Sequence, residues 1–168
     1  MQYSMLDYDL NLLRDLVHVI DEHLDHILKE SLQVDDPDGL GYFDNAEHVV
    51  GLGFVACQTY VSSVCGYLKI EKRKALSVGP LHPSGQTKVQ IINHAANYWK
   101  HNSGWSFDKN SKQKKFVEDS FESVGFPVRI DYPLSGVLKE LTFPNVVTFE
   151  SIVKVLEAWK DDLHKTAA

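Results

Sequence analysis

Residues 93–101, Asn-His-Ala-Ala-Asn-Tyr-Trp-Lys-His, hold the side chains best suited to chemistry. Wound as a helix, they bring His94, Asn97 and His101 onto one polar stripe about 60° wide. Ile92, Ala95, Ala96 and Trp99 then fall on the opposite side. Two imidazoles and an amide held within a few ångströms could move protons near neutral pH. The stripe sits in the one strongly basic part of an acidic chain. Between Lys69 and Lys115 stand ten basic residues (Lys69, Lys72, Arg73, Lys74, Lys88, Lys100, Lys109, Lys112, Lys114 and Lys115) against Glu71 and Asp108. That stretch carries a formal +8 in a chain of net charge −6, which leaves −14 on the rest. Charge segregated in this way predicts a footprint for phosphate or another acidic partner, although lysines also collect in solvated loops.

The run Ala96-Asn97-Tyr98-Trp99-Lys100-His101 resembles the Arg-Asn-x-x-x-His signature of the HEPN superfamily. These are all-α domains common in toxin–antitoxin, phage-defence and RNA-processing systems. The resemblance covers six residues and the expected helical fold. It implies a metal-independent endoribonuclease that acts as a homodimer, with no cofactor. Asn97 takes the place of the family's polar residue and His101 that of its histidine. Ala96 stands where the family has the arginine that holds the phosphate. Lys100, one place before His101, or Arg14, Arg73 or Arg129 brought in by the fold, would have to supply that charge. In such a site one histidine would take the proton of a ribose 2′-hydroxyl as it attacks the neighbouring phosphate. A second, His94 or a partner subunit's residue, would protonate the leaving oxygen. The need for a 2′-hydroxyl would make the substrate RNA.

Other clusters are weaker. His18, Glu22, Asp25 and His26 share a helical face, but i and i+8 positions lie roughly 12 Å apart, too far for one metal ion. Asp44 with Glu47 three residues on has the form of a capping box at a helix start, which accounts for two of the three ionisable groups at 44–48. His82 lies in a Pro-Ser-Gly loop. Gly-rich phosphate loops, a nucleophile elbow and paired zinc-ligand motifs are absent. Trp99, Trp105 and Phe107 interleave with Lys100 and Lys109, a pattern compatible with base stacking, and Trp105 is the freer of the tryptophans. The candidate RNA-binding set is therefore Lys69, Lys72, Arg73, Lys74, Lys112, Lys114, Lys115 and Trp105.

The elements that must position these groups are read from apolar spacing. A first helix is predicted over about 6–32 and a second, apolar on nearly all sides and rich in small residues, over 44–68. A basic loop follows over 69–86, then a helix over 87–101, and another over 111–124 capped by Ser111. Pro127, Pro133, Gly136 and Pro144 argue for irregular chain over 126–145, with a short extended piece at 128–132. A last helix spans 148–165. The expectation is one all-α domain over 1–168, a bundle of about five helices with short antiparallel connections.

Composition bounds the functional classes. With 43% apolar and 24% charged residues the chain reads as globular and large enough for a real core. The most apolar run, 49–64, is broken by Gly51, Gly53, Gln58, Thr59 and Ser62, so no membrane span is expected. Cys57 and Cys65 read as buried small hydrophobes in a reducing cytoplasm. The leading expectation is an RNA-binding protein that cleaves RNA through His101 and His94, in bacterial defence or toxin–antitoxin biology. Its rival is a non-catalytic interaction protein, such as an immunity protein, antitoxin or adaptor, whose acidic remainder suits a basic protein partner. A small-molecule-binding bundle is a third.

Overall fold

The computed structural model describes residues 5–105 and 111–167. Among them are seven helices: α1 (Met5–Ser31), α2 (Tyr42–Leu68), α3 (Lys72–Leu76), α4 (Lys88–Trp105), α5 (Lys112–Ser123), α6 (Pro133–Thr142) and α7 (Phe149–Ala167). The only strand-like pairing among the described residues is an isolated bridge between Leu81 and Thr87. The all-α expectation holds, but the count rises from about five to seven. One addition, α3, is a five-residue turn of helix inside the basic loop, too short for periodicity to reveal. The other, α6, begins at the proline thought to forbid it. At the first helical position the missing N–H would have had no partner in any case, so Pro133 starts the helix instead of breaking it. Gly136 lies inside α6 because the Phe126 ring occupies the space a Cβ would need. Residues 128–132 form turns and bends, not an extended piece.

One buried cluster draws side chains from all seven helices. In α1 the broad leucine stripe is only partly used: Leu13, Val17 and Ile27 are buried, while Leu12, Leu16 and Leu28 are about half exposed. α2 is the centre. Phe54, Cys57, Val61 and Val64 have no exposed surface, and burial pushes the Cys57 thiol pKa up. Small residues on α2 let other helices reach its backbone, since a Cβ on Gly51 would enter the Trp99 indole and one on Gly53 the Phe149 ring. By length and composition α2 could cross a bilayer, with mean hydropathy 1.5 over its best window, which corrects the expectation of no such run. Of that window 56% is buried among the other helices, the position of a core helix.

Two helices receive their N-terminal caps from far away in sequence. The Glu47 carboxylate accepts from Leu134 N at 2.6 Å, Ser135 N at 2.9 Å and Ser135 Oγ at 2.6 Å, and so closes the first turn of α6. Asp21 does the same for α7, accepting from Phe149 N at 2.7 Å and Glu150 N at 3.0 Å. Unpaired N–H groups at a helix start attract a carboxylate by hydrogen bonding and by the helix dipole. The capping box expected at Asp44 and Glu47 is therefore not formed: α2 is preceded by Gly41 at φ 78° with no side-chain cap, and Glu47 faces another helix. The Ser111 cap is present, its hydroxyl accepting from Lys114 N at 3.3 Å. Replacing Glu47 by Ala should lower stability by about 1–2 kcal/mol, the usual value of a cap. Asp44→Ala should stay within about 0.5 kcal/mol, as exposed substitutions do. Urea unfolding of the two variants checks both; equal losses would restore the capping box.

Candidate functional site

α4 runs antiparallel to α2, with Trp99 beside Gly51 and Asn93 beside Gln58. Gln58, buried in the apolar helix, organises the seam. Its Nε2 donates to Asn93 Oδ1 at 2.8 Å, to Asn97 Oδ1 at 2.9 Å and to the Asn93 carbonyl at 3.2 Å. Lys100 Nζ donates to Gln58 Oε1 at 2.6 Å, curling back along the helix. A buried carboxamide must satisfy both ends, and this one does so with three side chains of α4. Asn97 and Lys100 are thus drawn together, but on the side facing α2. Lys72 Nζ, 3.2 Å from Ser62 Oγ, lies near the same end. Burial, with the Lys100 ammonium beside it, holds its pKa below the usual lysine value.

The two histidines are placed elsewhere. His94 looks toward α5, in a shallow pocket that also includes Ser84, Gln86, Phe116, Asp119 and Ser123. Its Nδ1 is buried with no hydrogen-bond partner among the described residues. Burial lowers its pKa below the ordinary 6.5. His101 is exposed two turns further on, roughly 10 Å along the axis at about 1.5 Å per residue. The stripe that looked continuous on a helical wheel therefore divides, with Asn97 inward to Gln58, His94 to α5 and His101 to solvent. Ala96, in the place of the HEPN arginine, is fully buried in the core.

The basic segment divides as well. Lys69, Lys72, Arg73 and Lys74 cluster where α2 ends and α3 begins. Lys112, Lys114 and Lys115 open α5, whose other end meets the start of α4 through Gln86, Ser120 and Ser123. α5 is therefore antiparallel to α4, and the two lysine groups lie toward opposite ends of the bundle. Trp105's side chain and residues 106–110, including Phe107 and Lys109, lie outside the described residues. On α1, His18 pairs with Glu22 at 3.3 Å and His26 with Glu30 at 3.4 Å, both on the exposed face. No group of three metal-ligating side chains forms among the described residues. His82, in its loop, contacts Ser84 Oγ at 2.9 Å and Glu140 Oε1 at 3.0 Å and does not join the α4 stripe.

Carboxylates gather instead at the N-terminal end of α2. Tyr132 donates its hydroxyl to Asp38. Hydrogen bonding to Asp38 and the nearby charges of Asp38, Asp44 and Asp131 push its pKa up to about 12. Nothing in the sequence spacing joins positions 38, 44 and 131, and Gln58 read only as a polar break in an apolar run. No protein-family model, curated protein or solved structure matches this chain. The class is therefore the one the fold itself gives, an all-α helical bundle. The lowered His94 pKa gives the fold a pH dependence. The unfolded imidazole takes up a proton first as the pH falls, so stability is full above about pH 6.5 and declines as the pH drops toward the folded value. Between pH 7 and 5, unfolding midpoints of wild type should fall more steeply than those of His94→Gln; parallel slopes would place His94 in water.

Proposed function

We propose that this protein is a non-catalytic interaction protein, of the immunity-protein, antitoxin or adaptor kind, whose cluster of carboxylates at the start of α2 receives a basic protein partner. The observation that carries the reading is the grouping of Asp38, Asp44 and Asp131 around Tyr132. Asp44 and Asp131 are exposed, and their carboxylates have no ion pair or hydrogen bond among the described residues. Unpaired carboxylates of one sign steer an oppositely charged partner and select against acidic ones. The reading is also supported by how α4 uses its polar groups: Asn97 and Lys100 serve Gln58, and two turns of helix lie between His94 and His101. A ribonuclease built on this stripe would also lack the arginine of the HEPN pattern, whose place is taken by Ala96 in the buried core.

RNA binding without cleavage is a second reading, favoured by the convergence of Lys72 and Lys100 next to Arg73 and Lys74. It calls for affinity that falls steeply with salt and is lost in Lys72→Glu/Arg73→Glu. The deciding experiment incubates labelled total RNA with purified protein in EDTA, beside His101→Ala. Intact RNA is expected with both proteins at every concentration, together with salt-sensitive binding of a Lys/Arg-rich peptide. Cleavage by the wild type alone would overturn the interaction reading and establish a metal-independent ribonuclease.

A further inference from the structure

A cleft of about 460 Å³ opens between the start of α2, the last turns of α4 and the 130–134 turn. Its walls combine two kinds of side chain. Tyr98, Trp99 and Tyr132 supply aromatic surface, while Asp44, Glu47 and Asp131 supply carboxylates. Among the described residues no lysine or arginine lines it, and His48 is the one basic group. The volume lies within the range of about 300–1,000 Å³ typical of ligand sites. We propose that this cleft is a recognition pocket for an arginine side chain presented by a protein partner, the guanidinium stacking on the aromatic walls and pairing with Asp44 and Asp131. The proposal rests on the interaction-protein reading and deepens it.

The lining groups are held in place by the fold. Both Glu47 oxygens are engaged by the first turn of α6, so this carboxylate fixes one wall instead of waiting for a ligand. The Tyr132 ring is set by its bond to Asp38 and by edge-on packing against Phe43, with centroids 5.9 Å apart at 74°. Tyr98 is hydrogen-bonded to Asn102 and packs on Phe121 with centroids 5.2 Å apart. Trp99 is seated over Gly51. Among the described residues, the lining carboxylates with no ion pair or hydrogen bond of their own are those of Asp44 and Asp131. Tyr132 also sits at φ 55°, in the left-handed region where a Cβ is disfavoured, so its side chain is retained there against the backbone's preference.

An arginine fits these walls better than other cations. Its guanidinium is flat, weakly hydrated and able to stack on a ring while donating two parallel hydrogen bonds to a carboxylate. A lysine ammonium could satisfy the charge but would lose the stacking and more hydration. A neutral ureido group could stack but would leave the carboxylates unpaired.

The test uses three twelve-residue Gly/Ser peptides that differ only in a central arginine, lysine or citrulline. Binding to the full chain is followed by calorimetry and tryptophan fluorescence, with circular dichroism confirming that each variant is folded. The arginine peptide should bind saturably, with the lysine peptide at least threefold weaker and the citrulline peptide not binding. Asp44→Asn/Asp131→Asn, a change at two exposed positions, should weaken arginine binding at least tenfold, and Trp99→Phe should remove most of the fluorescence response. Equal binding of arginine and citrulline peptides, or arginine affinity unchanged in the double variant, would overturn the proposal. If a Lys/Arg-rich peptide still bound in that case, the acidic interaction reading would stand and only the pocket would fall. If no basic peptide bound at all, both would fall.

Discussion

Everything in this bundle depends on access to the backbone and polar edge of α2. Along its length the helix engages three neighbours: Glu47 holds α6, Gly51 receives Trp99 of α4, Gly53 receives Phe149 of α7, and Gln58 binds Asn93, Asn97 and Lys100 of α4. Two positions lack a side chain and two carry polar ones, so the contacts are specific in a way that a uniform leucine surface would not be. Close approach at glycine fixes the distance between helices, and the buried amide fixes their register, because sliding α4 by one residue would strand both ends of the Gln58 carboxamide.

This arrangement decides which chemical groups remain available. Side chains on one stripe of an isolated helix are not in one environment once that helix has neighbours on two sides. α4 lies against both α2 and α5, and its polar stripe falls across the boundary between them. Asn97 and Lys100 are drawn into structure, His94 is half-enclosed with no partner for Nδ1 among the described residues, and His101 stays at the surface. The basic run is likewise continuous only along the chain, because α4 carries the chain from the end where Lys69, Lys72, Arg73 and Lys74 cluster to the end where Lys112, Lys114 and Lys115 open α5.

Much of the architecture was legible in the sequence, because α1, α2, α4, α5 and α7 are long enough to show an apolar period and Ser111 is a local cap. α3 has five residues, too few for a period. α6 is hidden because Pro133 looks like a helix breaker in the sequence, while its position at the helix start makes it an opener. The roles of Glu47 and Gln58 were not legible because their partners are 87 and 35 residues away, and local spacing assigned both a local meaning. The acidic grouping at Tyr132 was hidden for the same reason. The spacing at 94–101 does mark one helix, within α4, but the neighbours that divide its face lie far away along the chain.

The carboxylate caps of α6 and α7 bear on how the chain reaches this fold. α6 has ten residues, a length at which an isolated helix is marginal in water. Its first turn is completed by a residue 87 positions earlier, and that of α7 by one 128 positions earlier. The C-terminal third of the protein therefore gains its helix starts only when the N-terminal helices are already beside it. Folding is in this sense indivisible: the two ends of the chain order together, and a fragment that ends before α6 would leave Asp21 and Glu47 with nothing to close.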